Sequence, residues 1–218
     1  TSKKNNLRQG KPLYAALDLG TNSCRMLIAQ PDGARFEIVD AFSKSIRLGL
    51  DLERTGELST SGIARALQAL HVCARKLKKF NVKKARLVAT EACRRSKNGS
   101  DFLARVKRET GLTLEVIEPE EEARLAVISC APLLEPLVSQ VLVVDIGGGS
   151  TELVWIDLSR VPESSRIKAM LSLRPVLKNQ KRYKNHKVSE GLAKIVDWIS
   201  VPLGVATLLQ RYSDVEDD

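Results

Sequence analysis

The 218-residue chain carries 35 Lys and Arg against 26 Asp and Glu, a formal net charge of +9, with 43% hydrophobic and 28% charged residues. That balance supports a packed core and excludes a collagen-like, mucin-like or wholly disordered chain. Its 4 Phe, 2 Trp and 3 Tyr argue against a nucleic-acid surface built on stacked aromatic rings.

The first ten residues are polar and basic, and no apolar run approaches the ~20 residues that span a bilayer. The expectation is a soluble, cytoplasmic protein with no membrane contact. Apolar runs at 13–17, 25–29 and 34–42 read as strands. Next, Ile63, Leu67, Leu70, Ala74 and Leu77 lay one apolar stripe on a helix entered through Ser59–Ser61. A strand at 85–89 precedes a helix capped by Ser100 and closed by Gly111, and another strand follows at 113–117. Pro119 opens a third helix through Ser129, and strands at 141–144 and 152–156 follow. Alternation of this kind indicates an α/β fold.

Cys24, Cys73, Cys93 and Cys130 are widely spaced with no CxxC pair, so each reads as a small apolar core residue. His71 and His186 belong to no constellation. Arg160–Lys194 holds ten Lys or Arg against Glu163 and Glu190, nearly all of the net charge. Poor in periodic apolar residues, this stretch reads as an inserted basic arm rather than a core element. Next to a polyanion site it would act as an electrostatic guide, with Lys178, Lys181, Arg182, Lys184 and Lys187 at its centre and Tyr183 its sparse aromatic.

An internal repeat is the most informative feature. Asp18-Leu19-Gly20-Thr21-Asn22-Ser23 superposes on Asp145-Ile146-Gly147-Gly148-Gly149-Ser150, 127 residues later. Each copy is an apolar strand, an Asp, a turn of Gly and small polar residues, then a second strand. Consecutive turn N–H groups with Ser, Thr and Asn side chains form an anion nest, and a strand-end Asp can hold a cation bridging the same phosphate. Two such loops would grip a phosphate chain. Either loop alone also allows a plain β-hairpin turn, the triple-glycine copy less so, because Asp, Asn and Gly are the usual turn residues. Neither ends in Gly-Lys-Ser/Thr, which excludes a Walker A loop.

The segments DLGTNSCRMLIA (18–29), ATEACRRSKN (89–98), IEPEEEARL (117–125), DIGGGSTEL (145–153) and VPLGVATL (201–208) resemble the exopolyphosphatase and guanosine pentaphosphate phosphohydrolase family. The resemblance implies duplicated ribonuclease H-like domains of the actin-like ATPase type with mixed sheets. The first would span 12–124. The second would span 125–218, incomplete and carrying the basic insertion 157–199, so the chain is expected to be a fragment with an exposed sheet edge and apolar face. The activity implied is release of terminal phosphate from polyphosphate or guanosine pentaphosphate with Mg²⁺, in a complete protein that forms a homodimer.

By motif position, the resemblance assigns Glu121 to orienting the attacking water and Arg94 to binding phosphoryl oxygens. Gly20, Thr21, Asn22, Ser23, Gly147, Gly148, Gly149, Ser150 and Thr151 would bind phosphate, and Asp18, Asp145 and Glu152 the metal. Arg95 reads as a solvated charge. Two alternatives stay open: a non-catalytic module binding a polyanion or nucleic acid, suggested by the basic stretch, and, more weakly, a sugar-kinase-like phosphotransferase.

Overall fold

The structure, a computed structural model, describes residues 11–33, 35–135, 137–173 and 193–212, with side chains to residue 208. Two compact units divide the chain: residues up to Ile117 with the segment from Ala206, and Glu118–Val205.

In the first unit, β1 (Tyr14–Leu19), β2 (Ser23–Asp32), β3 (Arg35–Ser45), β4 (Lys84–Ala89) and β5 (Glu115–Val116) form a sheet in the order β3-β2-β1-β4-β5. β1, β2 and β3 are antiparallel neighbours, while β4 runs parallel to β1 and β5 to β4. The period-two pattern of β2 buries Cys24, Met26, Ile28 and Gln30 on one face. Between β3 and β4, after the short α1 (Leu52–Thr55), comes α2 (Thr60–Lys79), whose expected stripe buries Leu67 and Leu70 together with Ala66, Ala69 and Cys73. Ser59 caps it by accepting a hydrogen bond from the Gly62 N–H at 3.2 Å. The Cys24 and Cys73 thiols hydrogen-bond inside this core, where that bond and then burial hold Cys24 protonated.

The β4 strand leads into α3 (Glu91–Arg95) and then α4 (Gly99–Thr110). The cap position of α4 is Asn98, not Ser100. Its amide turns away from the helix, accepting from the Leu58 N–H at 2.8 Å and donating to the Leu58 carbonyl at 3.0 Å. Gly99 then starts the helix because a Cβ there would lie 2.2 Å from the Cys93 carbonyl oxygen. Gly111 closes it at φ 74°, as expected. The β5 strand is shorter than 113–117 because it pairs with only Val88 and Ala89 of β4, while flanking Leu114 and Ile117 turn into buried positions.

In the second unit, α5 (Pro119–Cys130) and a 3₁₀ turn (Ala131–Leu133) precede β6 (Gln140–Ile146) and β7 (Thr151–Asp157). A second 3₁₀ turn (Glu163–Ser165), α6 (Arg166–Leu171) and β8 (Lys194–Val201) follow; α7 (Val205–Tyr212), assigned to the first unit from Ala206 on, ends the described chain. The three strands form an antiparallel sheet ordered β6-β7-β8. Its inner face packs Val143, Val154 and Ile156 against Ala123, Ala126 and Val127 of α5. Small residues on the helix permit a close approach. The alternate residues Leu142, Val144, Ile146, Trp155 and Ile199 are exposed, an apolar row on the other face of the sheet among the described residues.

The ends of the basic stretch correct its reading as an arm. Met170 and Val161 are buried in the second core, Arg166 is buried with its Nε–H on the Val161 carbonyl at 3.2 Å, and β8 completes the sheet. Burial of a few apolar side chains outweighs the local charge density there. Lys178, Lys181, Arg182, Tyr183, Lys184, His186 and Lys187 lie outside the described residues. Among the described residues no helix is long and apolar enough to cross a membrane.

Candidate functional site

Both copies of the repeat are tight antiparallel hairpins, as the turn reading has them. Leu19 pairs with Cys24 around Gly20–Ser23, and Ile146 pairs with Thr151 around Gly147–Ser150. The same bond closes each turn: Gly20 N–H to the Ser23 carbonyl at 2.9 Å, and Gly147 N–H to the Ser150 carbonyl at 2.8 Å.

A second element braces each loop. In the first unit the chain leaving β3 donates from Ile46 and Arg47 N–H to the Asn22 carbonyl at 2.8 and 2.9 Å, and from Gly49 N–H to Thr21 at 2.9 Å. Arg65 of α2 holds that segment by donating to the Ile46 and Arg47 carbonyls at 2.6 and 3.1 Å. In the second unit the chain leaving β8 donates from Val205 N–H to Gly147 at 3.0 Å, and the Thr151 hydroxyl donates to the Leu203 carbonyl at 2.6 Å. A Cβ on Gly49 would lie 2.3 Å from Thr21 Cγ2, and one on Gly204 2.5 Å from the Gly148 carbonyl carbon. The repeat thus extends beyond the loops, to Leu48-Gly49 and Leu203-Gly204 after the third strand of each unit.

This bracing ties down the carbonyls of Thr21, Asn22 and Gly147. Among the described residues no backbone carbonyl takes the N–H of Thr21, Asn22, Gly148, Gly149 or Ser150. Such N–H groups in a closed turn are donors for an anion. Thr21 and Ser150 are themselves buried, which holds both loops in shape.

The carboxylates differ between the units. Asp18 faces Arg25 across its hairpin, an opposite-charge pair. Asp145 faces Glu152, a like-charge pair, and Glu152 is only 2% exposed. Ser200 on β8 donates its hydroxyl to Glu152 Oε1 at 2.8 Å. The register sets exposed Asp145 opposite buried Glu152, two oxygen donors that could hold a divalent ion. Among the described residues no three His, Cys, Asp or Glu gather into a metal-binding cluster. Asp18 belongs to the other hairpin.

The α3 helix begins beside the first loop, since Thr90 N–H donates to the Leu19 carbonyl at 3.2 Å. From it Arg94 donates Nη1–H to the Ile117 carbonyl at 2.5 Å. Arg95 is not a solvated charge: its Nη1 donates to Glu53 at 2.8 Å and to Glu91 at 2.7 Å, and both bonds raise its pKa. Glu91 is 4% exposed and its Oε2 has no partner among the described residues. Burial pushes the neighbouring Cys93 thiol up to about 12, so it stays protonated and inert at neutral pH.

Glu121 lies in the first turn of α5 with Glu120 and Glu122. Its carboxylate takes a fork from Arg124, Nε to Oε2 at 2.7 Å and Nη2 to Oε1 at 2.8 Å. Arg124, Ser200, Gly49 and the Glu53–Arg95–Glu91 contacts are not singled out by the sequence motifs. The Glu-x-x-Arg spacing of 121 and 124 was the available signal for the first.

The sequence matches the profile of the Ppx/GppA phosphatase family over residues 27–216. A crystal structure of a Ppx/GppA family member from Aquifex aeolicus is 33% identical at a TM-score of 0.64, the match covering 92% of this chain and 54% of that one. An exopolyphosphatase-like protein is 27% identical at a TM-score of 0.71, covering 92% and 53%. An exopolyphosphatase from Cytophaga hutchinsonii, 22% identical over 94% of this chain and 55% of its own, shares the fold at a TM-score of 0.71. The chain spans about half the length of these solved structures. With its repeated hairpin units and this match, the chain belongs to the Ppx/GppA phosphatase family and has the duplicated ribonuclease H-like α/β fold of the actin-like ATPases.

Proposed function

We propose that this chain carries the phosphate loops and water-orienting carboxylate of a hydrolase that releases terminal phosphate from polyphosphate or guanosine pentaphosphate. The observation that carries the reading is the pair of braced hairpins whose N–H groups, taken by no backbone carbonyl among the described residues, are donors for phosphoryl oxygens, in a chain of this family. Phosphoanhydride hydrolysis has a loose transition state, so the protein mainly positions an in-line water and neutralises charge. Gly20–Ser23 and Gly147–Thr151 bind phosphoryl oxygens through N–H and hydroxyl groups. Glu121, near the positive end of α5, accepts a hydrogen bond and then the proton from the attacking water. Arg94 supplies a guanidinium for phosphoryl oxygens from α3. Asp145 and Glu152 would hold Mg²⁺, which when bound neutralises phosphate charge.

The test is phosphate release from polyphosphate, guanosine pentaphosphate and ATP, measured side by side with Glu121→Gln. The variant keeps the size and loses the base, so turnover falls on the order of 100-fold or more while the substrate still binds. Wild-type turnover in Glu121→Gln refutes the role of Glu121. The concentration of Lys and Arg in Arg160–Lys194 favours a second reading, polyanion binding without hydrolysis. Salt-sensitive polyphosphate binding with no phosphate release from any substrate selects it.

A further inference from the structure

An ion pair three residues apart on an exposed helix holds two side chains loosely. The Glu121–Arg124 pair is built differently. Both side chains are 17% exposed, and both guanidinium contacts to the carboxylate are short, at 2.7 and 2.8 Å. The third nitrogen, Nη1, donates to the carbonyl of Leu173, just past α6 and 49 residues along the chain, at 3.1 Å. The planar fork is therefore fixed from both ends: by the helix it grows from and by a backbone oxygen of another element. The guanidinium sets the plane of the carboxylate, whose oxygens carry two lone pairs each.

We infer that Arg124 is a positioning residue, orienting the Glu121 carboxylate toward the attacking water. The inference rests on the role proposed for Glu121. Lysine would supply the charge as a single point and not the two-pronged geometry, so the arginine fork carries the function.

The experiment is a double-mutant cycle on steady-state phosphate release in the full-length protein, with Arg124→Gln, Glu121→Gln and the double variant. Alone, Arg124→Gln lowers kcat about 10–100-fold, as expected for a misplaced reactive group, and leaves KM within about twofold. In the Glu121→Gln background it costs no further activity, because the group it acts through is gone. A kcat within twofold of wild type overturns the inference, as does a change confined to KM or a loss that multiplies that of Glu121→Gln. If Arg124→Gln does not fold, Arg124→Lys decides: reduced kcat at an unchanged melting temperature supports the fork, and wild-type kcat overturns it. No release by wild type, or full turnover in Glu121→Gln, overturns the underlying proposal and this inference with it.

Discussion

Replacing Gly204 with alanine tests whether the brace behind the triple-glycine loop sets its shape. An ideal Cβ at 204 would lie 2.5 Å from the Gly148 carbonyl carbon and 2.6 Å from the Gly147 and Gly148 carbonyl oxygens. These are backbone atoms, so no flexible side chain can swing aside. Restoring ordinary contact separates loop and brace by roughly 1 Å, which takes the 3.0 Å bond from Val205 N–H to Gly147 out of reach. Overpacking costs about 1–3 kcal/mol and the lost bond about 1 kcal/mol. For a chain of this size that lowers Tm by roughly 4–16 °C. Because the loop moves with its carbonyls, phosphate release falls on the order of 100-fold. Gly33→Ala is the control: at φ 62° with nothing within 4 Å, it costs only the left-handed conformation, about 1–2 kcal/mol, and leaves phosphate release unchanged. Calorimetry and a phosphate-release assay read both variants. Wild-type Tm and turnover in Gly204→Ala would refute the reasoning.

Asp145→Asn and Glu152→Gln each raise the Mg²⁺ concentration for half-maximal activity about tenfold or more; full wild-type activity in excess chelator removes the ion from the mechanism. Arg95→Ala leaves buried Glu91 without its cation and destabilises the chain by about 1–3 kcal/mol in urea unfolding, after allowance for the 36% exposure of Arg95; a change below about 0.5 kcal/mol would return Arg95 to a solvated charge. In the native chain a thiol reagent modifies Cys130 quickly and Cys24, Cys73 and Cys93 only on unfolding, since the last three are buried; rapid modification of all four contradicts the packing. Asp157 accepts hydrogen bonds from Ser159 N–H at 2.8 Å and from Gln140 at 3.0 Å, and the former chiefly holds its carboxyl below the ordinary 3.8. A depressed folded-state pKa adds stability above the unfolded value that is lost as pH falls through the folded one. Asp157→Asn therefore reduces stability at pH 7 and flattens its loss below about pH 4 in acid titration followed by circular dichroism; an unchanged profile contradicts this.

The elements that were legible in the sequence are those whose signal is local. The α2 stripe and its Ser59 cap, the left-handed Gly111, Pro119 at the start of α5 and the two glycine turns each follow from a few consecutive residues obeying one period or one steric rule. The repeated Asp-to-Ser turns also announced a duplicated unit, because such a turn at matched register demands the same flanking strands. What depends on partners far along the chain was decided only in the tertiary structure. Asn98 displaces Ser100 at the cap because Leu58, forty residues away, has backbone groups to pair with its amide. The basic stretch has no apolar period, yet Met170 and β8 find the second core. Gly49 and Gly204 look like ordinary loop glycines until the loops they press on are folded against them. Arg95 and Arg124 are two charges among 35 Lys and Arg in the sequence. Folding alone selects the carboxylates and carbonyls that meet them, because an ion pair is set by distance in space and not by position in the chain.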